Sequence, residues 1–324
     1  MRLNLSLALV AVGLLAAAAP AHAEYPDRPI KMIVPLAPGG GTDITGRTVA
    51  TAIAADWNTT IAVENKTGGG TSIASLAVAT APADGYTVYV NTASFLISAR
   101  TIPNLRYDAQ KDFTPVSLLA SSDHILVISP RVPAKTYAEF RDWVRSKNGA
   151  ATFASFGAGS SSHLGFELFL NRAGLNMVHV PYKGNAPAMT DLLGGHVDAM
   201  FADHVDDALK ASGLPMLAVM GPKRLPEIPD VPSAQELGLK DFTSNSFYGL
   251  MVRKGTPDAI VEKWSAAAHK ALQTKTVRDT LQLQGIAPAG TTPKEYAAFL
   301  KKEDAKYAET LRLPSVAAGL GLKP

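Results

Sequence analysis

The chain has 324 residues, of which 47% are apolar and 18% charged; this is globular composition, and at roughly 150 residues per domain the length implies two domains. Its 31 basic and 28 acidic residues leave a net charge of +3 with no block of one sign, so a nucleic-acid or acidic-membrane surface has no support. The absence of cysteine excludes disulfides, cysteine zinc sites, iron–sulfur ligation, a thiol nucleophile and a lipoprotein anchor.

Met1-Arg2 starts the chain with a positive charge, Leu7 to Ala19 is apolar apart from Gly13, and Pro20-Ala21-His22-Ala23 ends in a small-x-small pattern. This reads as a cleavable signal peptide over 1–23, whose thirteen-residue apolar run spans about 20 Å as a helix, short of the roughly 30 Å hydrocarbon layer of a bilayer. Export as a soluble periplasmic protein starting at Glu24 is the expectation. Ile30 to Leu36 then reads as a buried strand, Pro38-Gly39-Gly40-Gly41 as a turn and Thr42 to Trp57 as a helix. The same strand, glycine turn and helix recur at Ile61–Glu64, Gly68-Gly69-Gly70 and Ser72–Thr80, followed by a strand over Tyr86–Asn91.

Strands at Val116–Leu119, Ile125–Ile128, Ala151–Ser155, Val178–Val180, Val197–Phe201 and Met216–Met220 alternate with helices at Tyr137–Ser146, from Ser161, and at Ala186–Gly194. Such alternation predicts an open, mostly parallel α/β sheet with helices on its faces. Gly221 to Pro232 contains four prolines, a stiff strap that suits a connection between lobes. A strand at Phe247–Val252 and helices at Pro257–Leu272, Thr276–Gln284 and Pro293–Leu311 follow. With so few strands, this last region is expected to pack back on the first lobe. The chain then crosses between lobes near residues 124 and 247, giving one lobe of 24–124 and 248–324, a second of 125–247, and a hinged cleft.

Two loops carry the candidate chemistry. Pro38-Gly39-Gly40-Gly41-Thr42-Asp43 opens a helix, where free N–H groups and the positive helix end attract a carboxylate or phosphate; it lacks the dinucleotide and P-loop spacings. Phe156-Gly157-Ala158-Gly159-Ser160-Ser161-Ser162-His163 opens another helix and adds three hydroxyls and an imidazole. The duller readings are an ordinary Thr42 or Asp43 cap and a solvated serine turn. Ser161 lacks a nucleophile elbow, so His163 two residues away is no evidence for a triad; a secreted hydrolase using Ser161 and His163 is nonetheless the rival from another class. His196, Asp198, Asp203 and His204 have metal-ligand chemistry without metalloenzyme spacing. Lys183 is a candidate anion attractor at the cleft rim, and Phe156, Phe201, Phe247 and Tyr248 are candidate pocket walls.

In order, Tyr25-Pro-Asp-Arg-Pro-Ile, Val34-Pro-Leu-Ala-Pro-Gly-Gly-Gly-Thr-Asp43, Val63-Glu-Asn-Lys, Asp84-Gly-Tyr-Thr, Lys111-Asp-Phe-Thr-Pro-Val, Ser161-Ser-His163, His179-Val-Pro-Tyr-Lys-Gly184, Asp191-Leu-Leu-Gly-Gly, Ile228-Pro-Asp-Val-Pro and Tyr248-Gly-Leu cover nearly the whole chain after residue 23. This set resembles the Bug family of tripartite tricarboxylate transporter substrate-binding proteins. The resemblance implies a two-lobed, Venus-flytrap periplasmic-binding-protein fold with two crossovers, no enzymatic activity, no cofactor and no metal. It also implies capture of a small organic carboxylate, delivered to the membrane components of the same transporter by a monomeric receptor. A sensor-only receptor feeding a signalling kinase is the remaining alternative.

By the same resemblance, one ligand carboxylate is bridged through waters to the loop of Pro38, Gly39, Gly40, Thr42 and Asp43. Other parts of the solute meet Phe156, Ser160, Ser161 and His163, the turn at Thr92 and Ser94, Ser72 of the glycine turn, and Phe201 and Asp203. Relatives often read Phe-Asp-Asn where this chain has Phe201-Ala202-Asp203, and glycine and asparagine near Gly70-Thr71-Ser72. Ala202 favours a ligand without an amine: a dicarboxylate, or an aromatic carboxylate stacked on Phe156 or Phe247.

Overall fold

The structure is a computed structural model that describes residues 24–320 and residue 322. The expected signal peptide lies outside the described residues. Among them, no helix is long and apolar enough to cross a membrane.

The strands form two sheets. β1 (Ile30–Val34), β2 (Ile61–Asn65), β3 (Thr87–Asn91), β4 (Phe113–Asp123), β10 (Asn245–Arg253) and β11 (Ala287–Pro288) make the first, in the order β11-β4-β10-β3-β1-β2. β5 (Ile125–Ile128), β6 (Thr152–Ser155), β7 (Val178–Pro181), β8 (Ala199–Ala202) and β9 (Met216–Val219) make the second, in the order β7-β6-β8-β5-β9. The sheets are mixed, which corrects the mostly parallel expectation. β1 pairs in parallel with β2 and β3, and β6 with β7 and β8, but β10 runs antiparallel to β3 and β4, and β5 to β8 and β9. β5 and β10 are the strands by which the chain enters the second lobe and re-enters the first, and β11 runs antiparallel to β4 at the edge of the first sheet.

The helices are α1 (Gly41–Asp56), α2 (Ser72–Ala79), α3 (Ala93–Thr101), α4 (Tyr137–Ser146), α5 (Ser161–Ala173), α6 (Asn185–Leu193), α7 (Asp207–Ala211), α8 (Asp258–Gln273), α9 (Lys275–Gln282), α10 (Pro293–Thr310) and α11 (Pro314–Gly319). They cover both faces of both sheets, giving each sheet two apolar layers. Trp264 of α8 and Leu281 of α9 join Val49 and Ile53 of α1 on one face of the first sheet, so the C-terminal helices do return to it.

β4 ends at Asp123 and β5 begins at Ile125, so the chain changes sheet at His124; it returns between β9 and β10. The two crossings lie side by side: the His124 N–H donates to the Ser244 carbonyl at 3.0 Å, and the ring bonds the Ser244 hydroxyl at 2.7 Å and the Ser246 hydroxyl at 3.1 Å. The proline strap is not a crossing. It folds back on the second lobe, where the Val219 N–H donates to the Pro232 carbonyl at 2.8 Å and Ile228 and Val231 are buried beside Val219. The apolar residues between the prolines decide this, because burying them outweighs an extended, solvated path.

β10 is buried along nearly its whole length, and Gly249 lets Tyr296 lie across it. A Cβ at Gly249 would stand 1.8 Å from the Tyr296 hydroxyl, which donates to Asn91 Oδ1 at 2.7 Å. Gly249→Ala therefore displaces a buried ring and its hydrogen bond. The expected loss is about 2–3 kcal/mol of stability, read as a lower urea midpoint at unchanged m-value.

Candidate functional site

Between the sheets lies a cavity of about 560 Å³, counting its opening to solvent. Four helices begin at its wall. Gly40 and Thr42 line it from the start of α1, and Thr92 and Ser94 from the start of α3, both on the first sheet. Ser160 and Ser161 line it from the start of α5, and Gly184 and Asn185 from the start of α6, both on the second. Each helix leaves its first N–H groups without intrahelical partners and presents the positive end of its dipole. At α1, α3 and α6 the N-cap residue offers no side-chain bond to those groups, although at α1 the Gly41 N–H is taken by Asp203 of the other sheet; at α5 the Ser160 hydroxyl accepts the His163 N–H, at 3.2 Å. Among the described residues, the lining holds no lysine, arginine or histidine and one carboxylate, Asp203. Such a cavity attracts an anion through backbone dipoles and hydroxyls alone.

Two N-termini were legible as anion sites in the sequence, at α1 and α5. The other two were not read so. Thr92 and Ser94 followed only from resemblance, because Ala93-Ser94-Phe95-Leu96 carries no glycine turn to mark a helix start. Gly184-Asn185 did carry the signal, a strand and then a glycine before a helix.

Asp203 joins the two sides. It follows β8 in the second sheet, and its Oδ2 accepts the Gly41 N–H of α1 at 3.1 Å. A Cβ at Gly41 would lie 2.2 Å from the Tyr248 hydroxyl and 2.7 Å from Asp203 Oδ2, so only glycine permits this approach. The Ser122 hydroxyl donates to the Asp203 carbonyl at 2.7 Å and lies 2.9 Å from the Tyr248 hydroxyl. Burial by itself raises the Asp203 carboxyl, but the neighbouring His204, the Ser246 hydroxyl and His124 together hold it below the ordinary carboxylate value. The carboxylate that Ala202 lacks is thus present one residue later, in the wall of the cavity.

Asp43 has a different place. Its carboxylate accepts Arg47 Nε at 2.9 Å, Asn65 Nδ2 at 2.8 Å and the Gly39 N–H at 3.1 Å, a clamp that shapes the Pro38 turn. Pro38, Gly40 and Thr42 line the cavity itself. Phe156 forms part of the wall at 8% exposure. Phe247 borders the cavity with a fully buried ring, edge-on to Phe299 at 5.1 Å, which removes it as a stacking surface. Phe201 is also fully buried, against Phe166 at 4.5 Å, and its ring belongs to the second-lobe core. Tyr248 and Ser246, by contrast, line the cavity; only Tyr248 was singled out from sequence, as a wall.

His163 does not line this cavity. Its Nδ1 accepts the Gly159 N–H at 3.2 Å, and its ring stacks on His179 at 3.8 Å; burial and then the His179 charge push it down to about 3. His179, pushed down to about 4 by burial, bonds the Ser155 hydroxyl at 2.6 Å, and that hydroxyl in turn accepts the Gly157 N–H at 3.2 Å. Two neutral imidazoles therefore hold the Gly157–Ser160 turn from behind. Ser161 meets His124 Nε2 at 3.5 Å and the Ser246 hydroxyl at 3.2 Å, not His163. Asp198, at the other end of β8 from Asp203, is bound by Arg131 Nε at 2.9 Å and by the Thr152 N–H at 2.8 Å, which disperses the His196, Asp198, Asp203 and His204 group.

A second cavity, about 950 Å³ with its opening, shares Leu36, Ser94, Phe156 and Ser160 with the first. Gly68 to Thr71 and Lys183 are among its other lining residues. Ser72 follows that glycine turn as the first residue of α2 and is half-buried.

Two α/β lobes, two side-by-side crossings and a cleft ringed by helix starts define a solute-binding receptor. The chain belongs to the tripartite tricarboxylate transporter receptors: the family described as "Tripartite tricarboxylate transporter family receptor" matches residues 45–312. It is 32% identical over 319 residues to Protein BugT of Bordetella pertussis, spanning 96% of this chain and 98% of that one. Among solved structures it is similar to MatC from Rhodopseudomonas palustris with bound malate, at 31% identity and a TM-score of 0.81 over 89% of this chain and 100% of that one. An R. palustris protein with adipate is 27% identical with a TM-score of 0.85, over 93% of this chain and 100% of that one. The protein is thus a receptor and not an enzyme, and the hydrolase alternative falls, as the separation of Ser161 from the His163 ring also requires.

Because the Asp203 carboxyl is depressed in the fold, its contribution to stability is complete above its unfolded value near pH 4 and is lost as pH falls through the lower folded one. Asp203→Asn should therefore flatten the acid limb of a plot of urea midpoint against pH. Gly41→Ala should force Asp203 and Tyr248 away and increase the radius of gyration of the ligand-bound form in small-angle scattering.

Proposed function

We propose that the protein captures a small organic carboxylate in the cleft, closes over it, and delivers it to the membrane components of a tripartite tricarboxylate transporter. The supporting observation is the convergence of four helix N-termini, two from each sheet, on a cavity without a fixed cation. A carboxylate bound there accepts N–H and hydroxyl donors from both lobes at once, and closure strengthens those bonds by excluding water. Binding thereby favours the closed form, which the membrane partner can distinguish.

The bend for closure falls where His124 and Ser244 lie side by side, so the lobes are 24–124 with 248–324, and 125–247, within a few residues of that pair. The leader over 1–23 directs the chain to the periplasm, where it works as a monomer. A dicarboxylate, or an aromatic carboxylate against Phe156, suits the walls. The relatives solved with malate and adipate, both carboxylates, support this reading.

Calorimetric titration with a panel of carboxylates and their primary amides tests it. The acids should bind at least about tenfold tighter than the amides, since a neutral amide gains little from uncompensated dipoles. Native mass spectrometry should recover the bound acid at unchanged mass. Equal affinity for acid and amide would overturn the proposal.

A further inference from the structure

We infer that Leu164 is an apolar clasp between the lobes: its side chain, from the second lobe, seats in the first lobe outside the ligand cavity and sets how readily the cleft shuts. This rests on the closure over a carboxylate read above and adds to it a contribution that does not depend on the ligand. Leu164 lies one turn into α5, the helix whose start lines the cavity. Phe166, Phe169 and Leu170 of the same helix are packed in the second lobe's own core. Leu164, 1% exposed, is buried elsewhere: in an apolar layer of the first sheet, with Ile97 of α3, Leu300 and Tyr307 of α10 and Val316 of α11. Among the described residues of that layer it is the one supplied by a helix of the second lobe. Without the first lobe beside it, this leucine would face water.

The backbone around Leu164 comes close to the first lobe and to the crossing. A Cβ on Gly165 would stand 1.8 Å from the Ser244 hydroxyl, so glycine lets α5 lie directly on the returning segment. A Cβ on Gly159 would stand 3.4 Å from Ile97 Cγ2, and one on Gly319 of α11 would stand 3.9 Å from both Glu167 Oε1 and His163 Nε2. α3 and α11 thus reach the second lobe on either side of Leu164. The polar ties between the lobes are the Gly41 N–H to Asp203 and the Val205 N–H to the Gln284 carbonyl at 2.9 Å. Water replaces such bonds when the lobes part, so each contributes little net. Apolar surface finds no replacement partner, and returning it to water shifts the equilibrium about fourfold for each methylene. Leu164 is therefore the tie with a net preference for the shut form. It is absent from the cavity lining, so it acts on every ligand alike, through the fraction of molecules able to shut.

The test combines titration calorimetry with malate, adipate and benzoate and small-angle scattering of the ligand-free protein. It is made on the full mature chain and on Leu164→Ala, Leu164→Met and Leu170→Ala. Leu164→Ala, which keeps a good helix former, should weaken every acid that binds by one common factor, about tenfold. Where the free protein is already largely shut, the same change should instead raise its radius of gyration. Leu164→Met, close in volume, should keep most of the wild-type affinity. Leu170→Ala opens a void inside the second lobe and should lower the urea midpoint without either effect, which separates the clasp from general loosening. Affinity and radius both unchanged in Leu164→Ala overturn the clasp, as does a loss much larger for one acid than for another; either result leaves the carboxylate reading standing. If the wild type binds none of the acids, that reading falls, and the radius of the free protein alone decides the clasp.

Discussion

The organising constraint of this molecule is that the first N–H groups of a helix have no partner in the helix itself. Four helices leave such groups at one cavity, and among the described residues its lining holds no arginine or lysine to neutralise an incoming anion. The recognition of charge is thus delegated to backbone, which cannot swing away or change protonation with pH. A site built so becomes stronger as water leaves it, so binding and closure reinforce each other. The chain already supplies one anion of its own: Asp203 reaches from the second lobe to the Gly41 N–H of the first. That bond ties the lobes together in the form described here, and it leaves a negative charge in the wall that restricts where further carboxylates can sit.

Behind the visible wall, buried polar groups fix its shape. Asp43 gathers Arg47, Asn65 and the Gly39 N–H, so the Pro38 turn is held by charge within its own lobe. His163 and His179 do the same for the opposite turn through Gly159 and Ser155. Both rings are neutral because burial disfavours their charged forms, which suits an acceptor for a backbone N–H. At the crossings, His124 binds Ser244 and Ser246, and Ser161 of the second-lobe turn touches Ser246 of the returning strand. The segments that permit closure and the walls that read the ligand therefore share a hydrogen-bond network.

Much of the fold follows from local pattern. The strand, glycine and helix at Ile30–Trp57 and the amphipathic helix Tyr137–Ser146, with its Thr136–Glu139 capping box, stand where periodicity places them. Strands buried on both faces are less legible. β10 has no alternation of apolar and polar residues, so nothing local says that Phe247 points into the core beside Phe299 while its neighbour Tyr248 reaches Ser122 at the cavity. Phe201 suffers the same ambiguity in β8. The strap of 221–232 misled for a related reason: prolines state that a segment is stiff, but its apolar residues, not its prolines, choose the surface it covers.

The sequence by itself determined the chemistry of the two glycine- and serine-rich turns, the alternation of strands and helices, and the family to which the chain belongs, because glycine spacing, helix caps and ordered motifs are local properties of the chain. Only the tertiary structure decided that four helix starts meet at one cavity, that Asp203 bridges the lobes to Gly41, and that His163 supports the wall instead of forming it. Those are relations between residues distant in sequence, such as the 162 positions separating Gly41 from Asp203, and they exist only once packing and sheet order bring the segments together.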